Sequence, residues 1–302
     1  MASFSSPPPD GPVIFGIRVN QRSCQFDFGR NWKSFSESAL TSDRVEGARL
    51  DFRNLMQGVP LRGRTFLDIG FGQGLALCLA QEAGAKAYAN DINPKCVEAL
   101  KATARFFSEL DTYSIPTVVG SILDDTTLQT LRQLPSAAEA GGFDIVHSWG
   151  VLHHTGAVAD ATQRAASLVR PGGHLIIAIY NTHWSSPAWY LIKRAFVTLP
   201  GLGQRILTAL FFPVIFIAKM AVIRGNPLKK DRGMDFYHDV IDWIGGYPYE
   251  HATVEQVKAL VESFGFKLER TIPTVVPTGC NQFVFRRNNL HGIEYRPDPG
   301  AA

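Results

Sequence analysis

The stretch FLDIGFGQGLALCLAQEAGAKAYANDINPKCVEAL, Phe66 to Leu100, decides the fold. A short apolar run ends in three glycines at alternate positions, Gly70, Gly72 and Gly74. The segment behind them, QGLALCLAQEAG, reads as a helix closed by Gly84. A second run, KAYAND, ends in Asp91, and NPKCVEALKATARFFSEL reads as a further helix with Pro94 in its first turn. Strand, glycine turn, helix and strand form a βαβ unit of a parallel sheet. Glycine lacks a Cβ, so it accepts positive φ and lets a ligand approach the backbone. The spacing alone also fits a merely tight strand-to-helix turn.

Two acids sharpen the reading. Asp68 lies inside the strand end, where a carboxylate is costly without a partner. Asp91 ends the next strand, where an acid can accept hydrogen bonds from both hydroxyls of a ribose. A dinucleotide needs its pyrophosphate at the helix N-terminus, and Asp68 would repel it there. A ligand with a ribose, a cationic amino group or sulfonium, and no phosphate suits both acids.

Working outward, the alternation continues. PTVVG, FDIVHSWG and GGHLIIAIY read as strands, the last after a Pro171-Gly172-Gly173 turn, with DDTTLQTLRQL and AVADATQRAASLVR as the helices between them. TVEQVKALVESFGF is a later helix with Thr253 as its N-cap. KLERTIPTVV and CNQFVFRR, separated by PTG, read as an antiparallel hairpin. In such a sheet the strands' C-terminal ends share one edge, where ligands bind.

LDIGFGQG, AND, FDIVHSWGVLHHT and LVRPGGHLIIAIYN resemble the successive motifs of class I S-adenosylmethionine-dependent methyltransferases. GVLHHT with LVRPGG is similar to the small-molecule branch that includes quinone, sterol and antibiotic methylases. The resemblance covers Arg64 to Tyr180 and, more loosely, the last helix and hairpin. It implies a Rossmann-like α/β fold, a seven-stranded, mostly parallel sheet with an antiparallel last strand and helices on both faces. It also implies S-adenosylmethionine as cofactor. Asp68, Gly70, Phe71, Gly72 and Gly74 would hold the methionine end. Asp91 would hold the ribose, and Ile92 would pack on the adenine. The family's adenine-reading Asp is replaced by Ser121, which leaves Ser121, the Ile122 backbone or Asp124 for that contact. Ser148, Trp149 and Gly150 would line the methyl-transfer face.

The implied activity is methyl transfer by in-line displacement to an O, N or S atom of a small, apolar or amphiphilic acceptor. A non-catalytic cofactor-binding module and a nicotinamide oxidoreductase are the alternatives. Much of the acceleration can come from orientation and water exclusion, so a base is needed only for an acceptor that holds its proton. His154 ranks first as that base, then His153, with Tyr180 and His183 after the fifth strand; His238 and His251 flank DWIGGYPYEHAT, which reads as a substrate wall or core filler. Packing or capping roles suit His153 and His154 equally well. Trp32 and Phe35, in FDFGRNWKSFS, are either an aromatic lid or plain cap packing.

By these signals the chain divides into a flexible N-terminus (1–12), an N-terminal cap (13–60), a cofactor-binding core (61–180), a helical insert (181–246), a C-terminal helix and hairpin (247–290) and a flexible tail (291–302). The cap contains DRVEGARLDFRNLM, a helix with Val45, Ala48, Leu50, Phe52, Leu55 and Met56 on one broad face. The insert carries ILTALFFPVIFIAKMAVI, Ile206–Ile223, near the ~18 residues of a spanning helix. A single span would split the catalytic domain across the bilayer. A lid over an apolar pocket, a homodimer surface, and an interfacial helix helped by Lys193, Arg194, Arg205, Lys229 and Lys230 remain.

The 302 residues carry 30 Lys and Arg against 27 Asp and Glu. That balance, without a basic stripe, argues against nucleic acid as a partner. The four cysteines, Cys24, Cys78, Cys96 and Cys280, show no metal-ligand spacing, so no metal is expected. Cys78 and Cys96 read as core residues of a reducing cytosol. MASFSSPPPDGP lacks the basic and apolar regions of a signal peptide, which adds to the expectation of a cytoplasmic enzyme, membrane-associated if the insert meets lipid.

Overall fold

The computed structural model describes residues 25–223 and 235–289. The expected flexible ends, the first part of the cap, Cys24, Lys229 and Lys230 lie outside them. Along the chain come helices α1 (Phe28–Ser38) and α2 (Ser42–Leu55), strand β1 (Thr65–Ile69), α3 (Leu75–Glu82), β2 (Lys86–Asp91) and α4 (Lys95–Ala104). There follow β3 (Thr117–Val119), α5 (Asp125–Gln133), α6 (Pro135–Ala140), β4 (Phe143–Trp149), α7 (Val158–Ser167) and β5 (Val169–Tyr180). The insert forms α8 (Ser186–Thr198), α9 (Gly201–Ile223) and α10 (Phe236–Gly245) before α11 (Val254–Glu262), β6 (Phe266–Ile272) and β7 (Cys280–Arg287).

The seven strands make one sheet in the order β3-β2-β1-β4-β5-β7-β6. β1 to β5 are parallel, and β7 inserts antiparallel between β5 and β6. The expected hairpin and antiparallel last strand are therefore present. Side chains alternate across each strand. Leu67, Val146, Leu175, Ile177 and Phe283 meet α5, α7 and α11 on one face. Phe66, Ile145, Ile176 and Val284 meet α2, α3 and α4 on the other. A third, smaller cluster joins α8, α9 and α10.

Several boundaries differ from the sequence reading. The Pro171-Gly172-Gly173 turn lies inside β5. Phe143 pairs with Val169 and Ile145 with His174, so β5 carries three extra residues opposite β4, a bulge that Gly172 permits at φ 73°. β6 stops at Ile272, because Pro273 has no N–H to give the ladder. Helix α1 forms where only scattered aromatics were visible; Asp27 starts it by accepting from the Arg30 N–H at 3.0 Å. In α2, Leu50 is 55% exposed, because it stands about 140° around the helix from Val45. α11 has the expected cap: Thr253 accepts from Gln256 N, and Gln256 Oε1 accepts from Thr253 N.

Candidate active site

The glycine loop joins β1 to α3 at the C-terminal edge of the sheet. Gly70 and Gly72 have φ of 73° and 56°. A Cβ on Gly70 would stand 2.4 Å from Val151, and one on Gly72 would stand 2.9 Å from the Trp32 indole nitrogen. Both positions thus require glycine for conformation and for space. Beside them Phe71 is buried in the core, and the buried Gln73 Oε1 has no hydrogen-bond partner among the described residues.

Asp91 faces this loop from β2. Its Oδ2 accepts from Gly72 N–H at 3.1 Å and its Oδ1 from Asn93 N–H at 2.8 Å. Burial pushes its carboxyl pKa up, and those two donors together with the Cys96 thiol oppose the shift. A carboxylate has about four acceptor positions, so one stays open to a ribose hydroxyl. Next to it Ile92 is 54% exposed, and Val119, paired with Asp91 across β2 and β3, is 50% exposed. These two apolar side chains border the edge where a flat base can pack. Asn90 holds that edge by donating to the carbonyls of Val118 (2.9 Å) and Gly120 (3.0 Å). Ser121 Oγ accepts from Leu123 N–H at 3.2 Å, and the Ile122 side chain is buried in the core, leaving its backbone available. Asp124 is exposed at the start of α5.

Asp68 has the partner that its position demands. His147 Nδ1 lies 2.7 Å from Asp68 Oδ1, both groups are buried, and the two residues are register partners on β1 and β4. The His147 ring also stacks on Phe66 at 5.5 Å. Sequence reasoning required such a partner and did not find it, because the β1–β4 register is a tertiary fact. Asp68 and Asp91 bracket the glycine loop, and neither pairs with a Lys or Arg among the described residues. On the β4 side, Ser148 is buried and donates to Ile69 O at 2.9 Å, so its hydroxyl ties β4 to β1. Trp149 is 42% exposed and donates to Gln282 Oε1 at 3.1 Å; Gly150 follows with φ 74°.

Past Gly150 the chain makes a single 3₁₀ turn, Leu152–His154. It brings His153 and His154 against Tyr180 at the end of β5, with ring centroids 4.1 and 5.4 Å from the tyrosine. His153 is fully buried, and neither ring nitrogen has a partner among the described residues. His154 Nδ1 lies 2.6 Å from Pro248 O. A carbonyl only accepts, so Nδ1 carries the proton. Phe28 of α1 packs on the His154 ring at 4.7 Å.

The fourth member of this buried cluster is Lys193, which the sequence reading had assigned only to lipid contact. It is 3% exposed, donates to Trp243 O, and its Nζ lies 5.4 and 5.0 Å from the centroids of Tyr180 and Tyr249. Burial draws its pKa down to about 8. Burial, followed by the Lys193 charge, draws His154 down to about 3; burial and the His154 charge hold His153 well below the usual range. Burial pushes the Tyr180 hydroxyl well up. Neither histidine is poised to take a proton near neutral pH. The structure does not bring His183 to them: its Nδ1 meets Ser185 Oγ at 2.8 Å at the start of α8. His238 pairs with Asp235 in the insert, and His251 lies 3.0 Å from Thr182 Oγ1. Asn281 takes a turn role, accepting from Thr274 N–H and donating to Asn181.

Fold and edge together define a site for a nucleoside with a cationic tail and no phosphate. The chain belongs to the family described as Methyltransferase domain, which matches residues 44–270. It is similar to the ubiquinone biosynthesis O-methyltransferase of Ralstonia nicotianae, 27% identical over 147 residues that cover 49% of this chain and 54% of that one. It is also similar to the protein of that name from Methylocella silvestris, 32% identical over 154 residues, 51% of this chain and 53% of that one. The chain spans about half the length of these curated relatives. The magnesium protoporphyrin IX methyltransferase of Synechocystis, solved with bound SAH, shares the fold: TM-score 0.51 and 15% identity over 86% of this chain and 94% of that one.

Proposed function

We propose that this protein is an S-adenosylmethionine-dependent methyltransferase that methylates an oxygen of a small, apolar or amphiphilic metabolite in the cytoplasm. The observation that carries the reading is the pair of buried carboxylates, Asp68 and Asp91, on either side of the glycine loop. A sulfonium amino acid is attracted there, whereas a pyrophosphate is repelled. The orphaned Gln73 Oε1 adds a third acceptor for a cationic amino group.

Bound there, the cofactor supplies an electrophilic methyl group. Asp68, the loop from Gly70 to Gly74 and Phe71 hold its amino-acid end. Asp91 takes the ribose, Ile92 packs on the adenine, and Ser121 with the Ile122 backbone reads the base edge. Ser148, Trp149 and Gly150 form the wall between cofactor and acceptor. His153, His154, Tyr180, Lys193 and Tyr249 form the acceptor chamber. The histidines and Tyr180 orient the acceptor in this scheme, because burial opposes proton uptake by the one and proton loss by the other. Free, buried Cys78 and Cys96 suit a reducing compartment. The names of the curated relatives support oxygen as the acceptor atom.

Calorimetry with S-adenosylhomocysteine and with NAD tests the cofactor. Micromolar binding of the former and none of the latter is expected; the reverse overturns the reading. Release of S-adenosylhomocysteine across a panel of phenols and quinols tests the chemistry. Tight binding with no turnover on any acceptor would favour a non-catalytic module.

A further inference from the structure

Helix α9 turns an apolar face outward. Leu202, Ile206, Leu210, Val214, Ile217 and Met220 are between 46% and 71% exposed. At 3.6 residues per turn they fill an arc about 120° wide. The opposite arc carries Phe211, Ile215 and Lys219, packed toward α8 and α10, with Lys219 paired to Asp239. An ordinary surface helix has this pattern the other way round, with its outer face polar. Trp184 (87%), Leu191 (65%) and Leu199 (37%) extend the exposed surface along α8. Among the described residues, nine of the fifteen exposed large hydrophobic ones fall between Trp184 and Met220, a concentration that scattered exposure does not give.

A buried lid over an acceptor pocket, one of the three readings of this insert, does not match this exposure, because such a lid would bury these side chains. Only 6% of the apolar window Gly201–Ala221 is buried. A crossing of the bilayer is excluded by topology. β5 precedes α9 and β7 follows it, and the two pair along their length in one sheet, from His174 with Arg286 to Tyr180 with Cys280. Both ends of α9 thus return to the same side.

Charge selects the occupant. From Asn181 to Ile223 there is no Asp or Glu, and of the four cations, Arg194 and Arg205 are exposed beside the patch. A second copy of the same face would offer those arginines no carboxylate. An anionic phospholipid surface offers phosphates to the arginines and hydrocarbon to the leucines.

We propose that α8 and α9 dock this protein, flat and on one side only, onto membranes containing anionic phospholipid. α9 lies in the interfacial plane, about 34 Å long at 1.5 Å per residue. Its apolar arc enters the headgroup boundary while Arg194 and Arg205 meet lipid phosphates. This inference does not depend on the methyl-transfer reading.

Co-sedimentation of the full chain with vesicles tests it. Phosphatidylcholine vesicles with a minority of phosphatidylglycerol should carry the protein down, and pure phosphatidylcholine should carry much less. Arg205→Glu should weaken binding by about fivefold or more, from the charge lost at the surface. The pair Ile206→Glu and Leu210→Glu should abolish it, while Val275→Glu, at another exposed apolar position, should leave it unchanged. Unchanged circular dichroism and Tm of these variants confirm that they are folded. Wild type left in the supernatant, or the Ile206/Leu210 variant still sedimenting, overturns the proposal. A dimer in sedimentation velocity that the Ile206/Leu210 variant dissolves also overturns it, because the face then belongs to a second copy.

Discussion

Asp91 shows how one side chain can be prepared for a ligand. Two backbone N–H groups already hold it, so its rotamer is set before any ligand arrives. Asp91→Ala should weaken S-adenosylhomocysteine binding by about 1–3 kcal/mol in calorimetry, the range for hydrogen bonds to a charged group. Lys193 should act on the other substrate. Lys193→Met should lower kcat/KM for the acceptor, leave the cofactor Kd nearly unchanged, and remove any limb near pH 8 from the pH–rate profile, since the ammonium titrates at about 8. Retention of that limb would assign it elsewhere. Glu250 makes a third case. It is buried, accepts from Val158 N–H at 3.1 and 3.2 Å, and burial pushes its carboxyl up from 4.5 to about 7. Between those values the unfolded carboxyl is ionised and the folded one is not, so the folded state binds more protons and stability falls as pH rises. The loss is complete above the folded pKa and reaches up to about 3 kcal/mol. Glu250→Gln should flatten this fall when Tm is followed across that window.

At the scale of elements, legibility followed locality. The βαβ unit, the Thr253 cap and the hairpin are written in neighbouring residues: glycines at a strand end, a Thr three before a Gln, two apolar runs around PTG. The Thr253 capping box makes this measurable, and Thr253→Ala should lower Tm by an amount equivalent to about 1 kcal/mol. Helix α1 was not legible, because its packing face is aromatic and polar by turns: Phe35 is buried in the core while Asn31 donates to His238 O and to Asp242. The β5 bulge was missed for another reason. A proline and two glycines suggest a turn, and only the pairing of β4 with both halves of β5 shows that the chain continues as a strand.

For the molecule as a whole, α1 acts as a strap. Asp27 pairs with Lys95 and Asn93, Lys33 pairs with Glu98, and Trp32 lies against Gly72, so α1 covers the glycine loop and the start of α4. On its other side Asn31 reaches α10 and Phe28 packs on His154. One helix therefore touches the glycine-loop edge, the His154 cluster and the insert. S-adenosylhomocysteine should slow hydrogen exchange in Phe28–Ser38 and Phe236–Gly245 together, and leave β6 and β7 unaffected. Protection confined to the glycine loop would mean that the strap moves independently of the site. α9 has few buried partners and should exchange fastest among the long helices.

Asp68, the glycines and Asp91 were readable from the chain alone, because strand-to-helix turns and strand ends are built from residues adjacent in sequence, and so were the sheet's class and the apolar character of the insert. Tertiary structure decided the rest. It supplied His147 as the partner of Asp68 through a strand register, gathered His154, Lys193 and Tyr249 from segments 39 and 56 residues apart in the chain, and turned the insert's apolar face to solvent. Local pattern states what a side chain prefers; only the packing of distant segments determines which neighbours it meets, and hence its charge, its burial and its use.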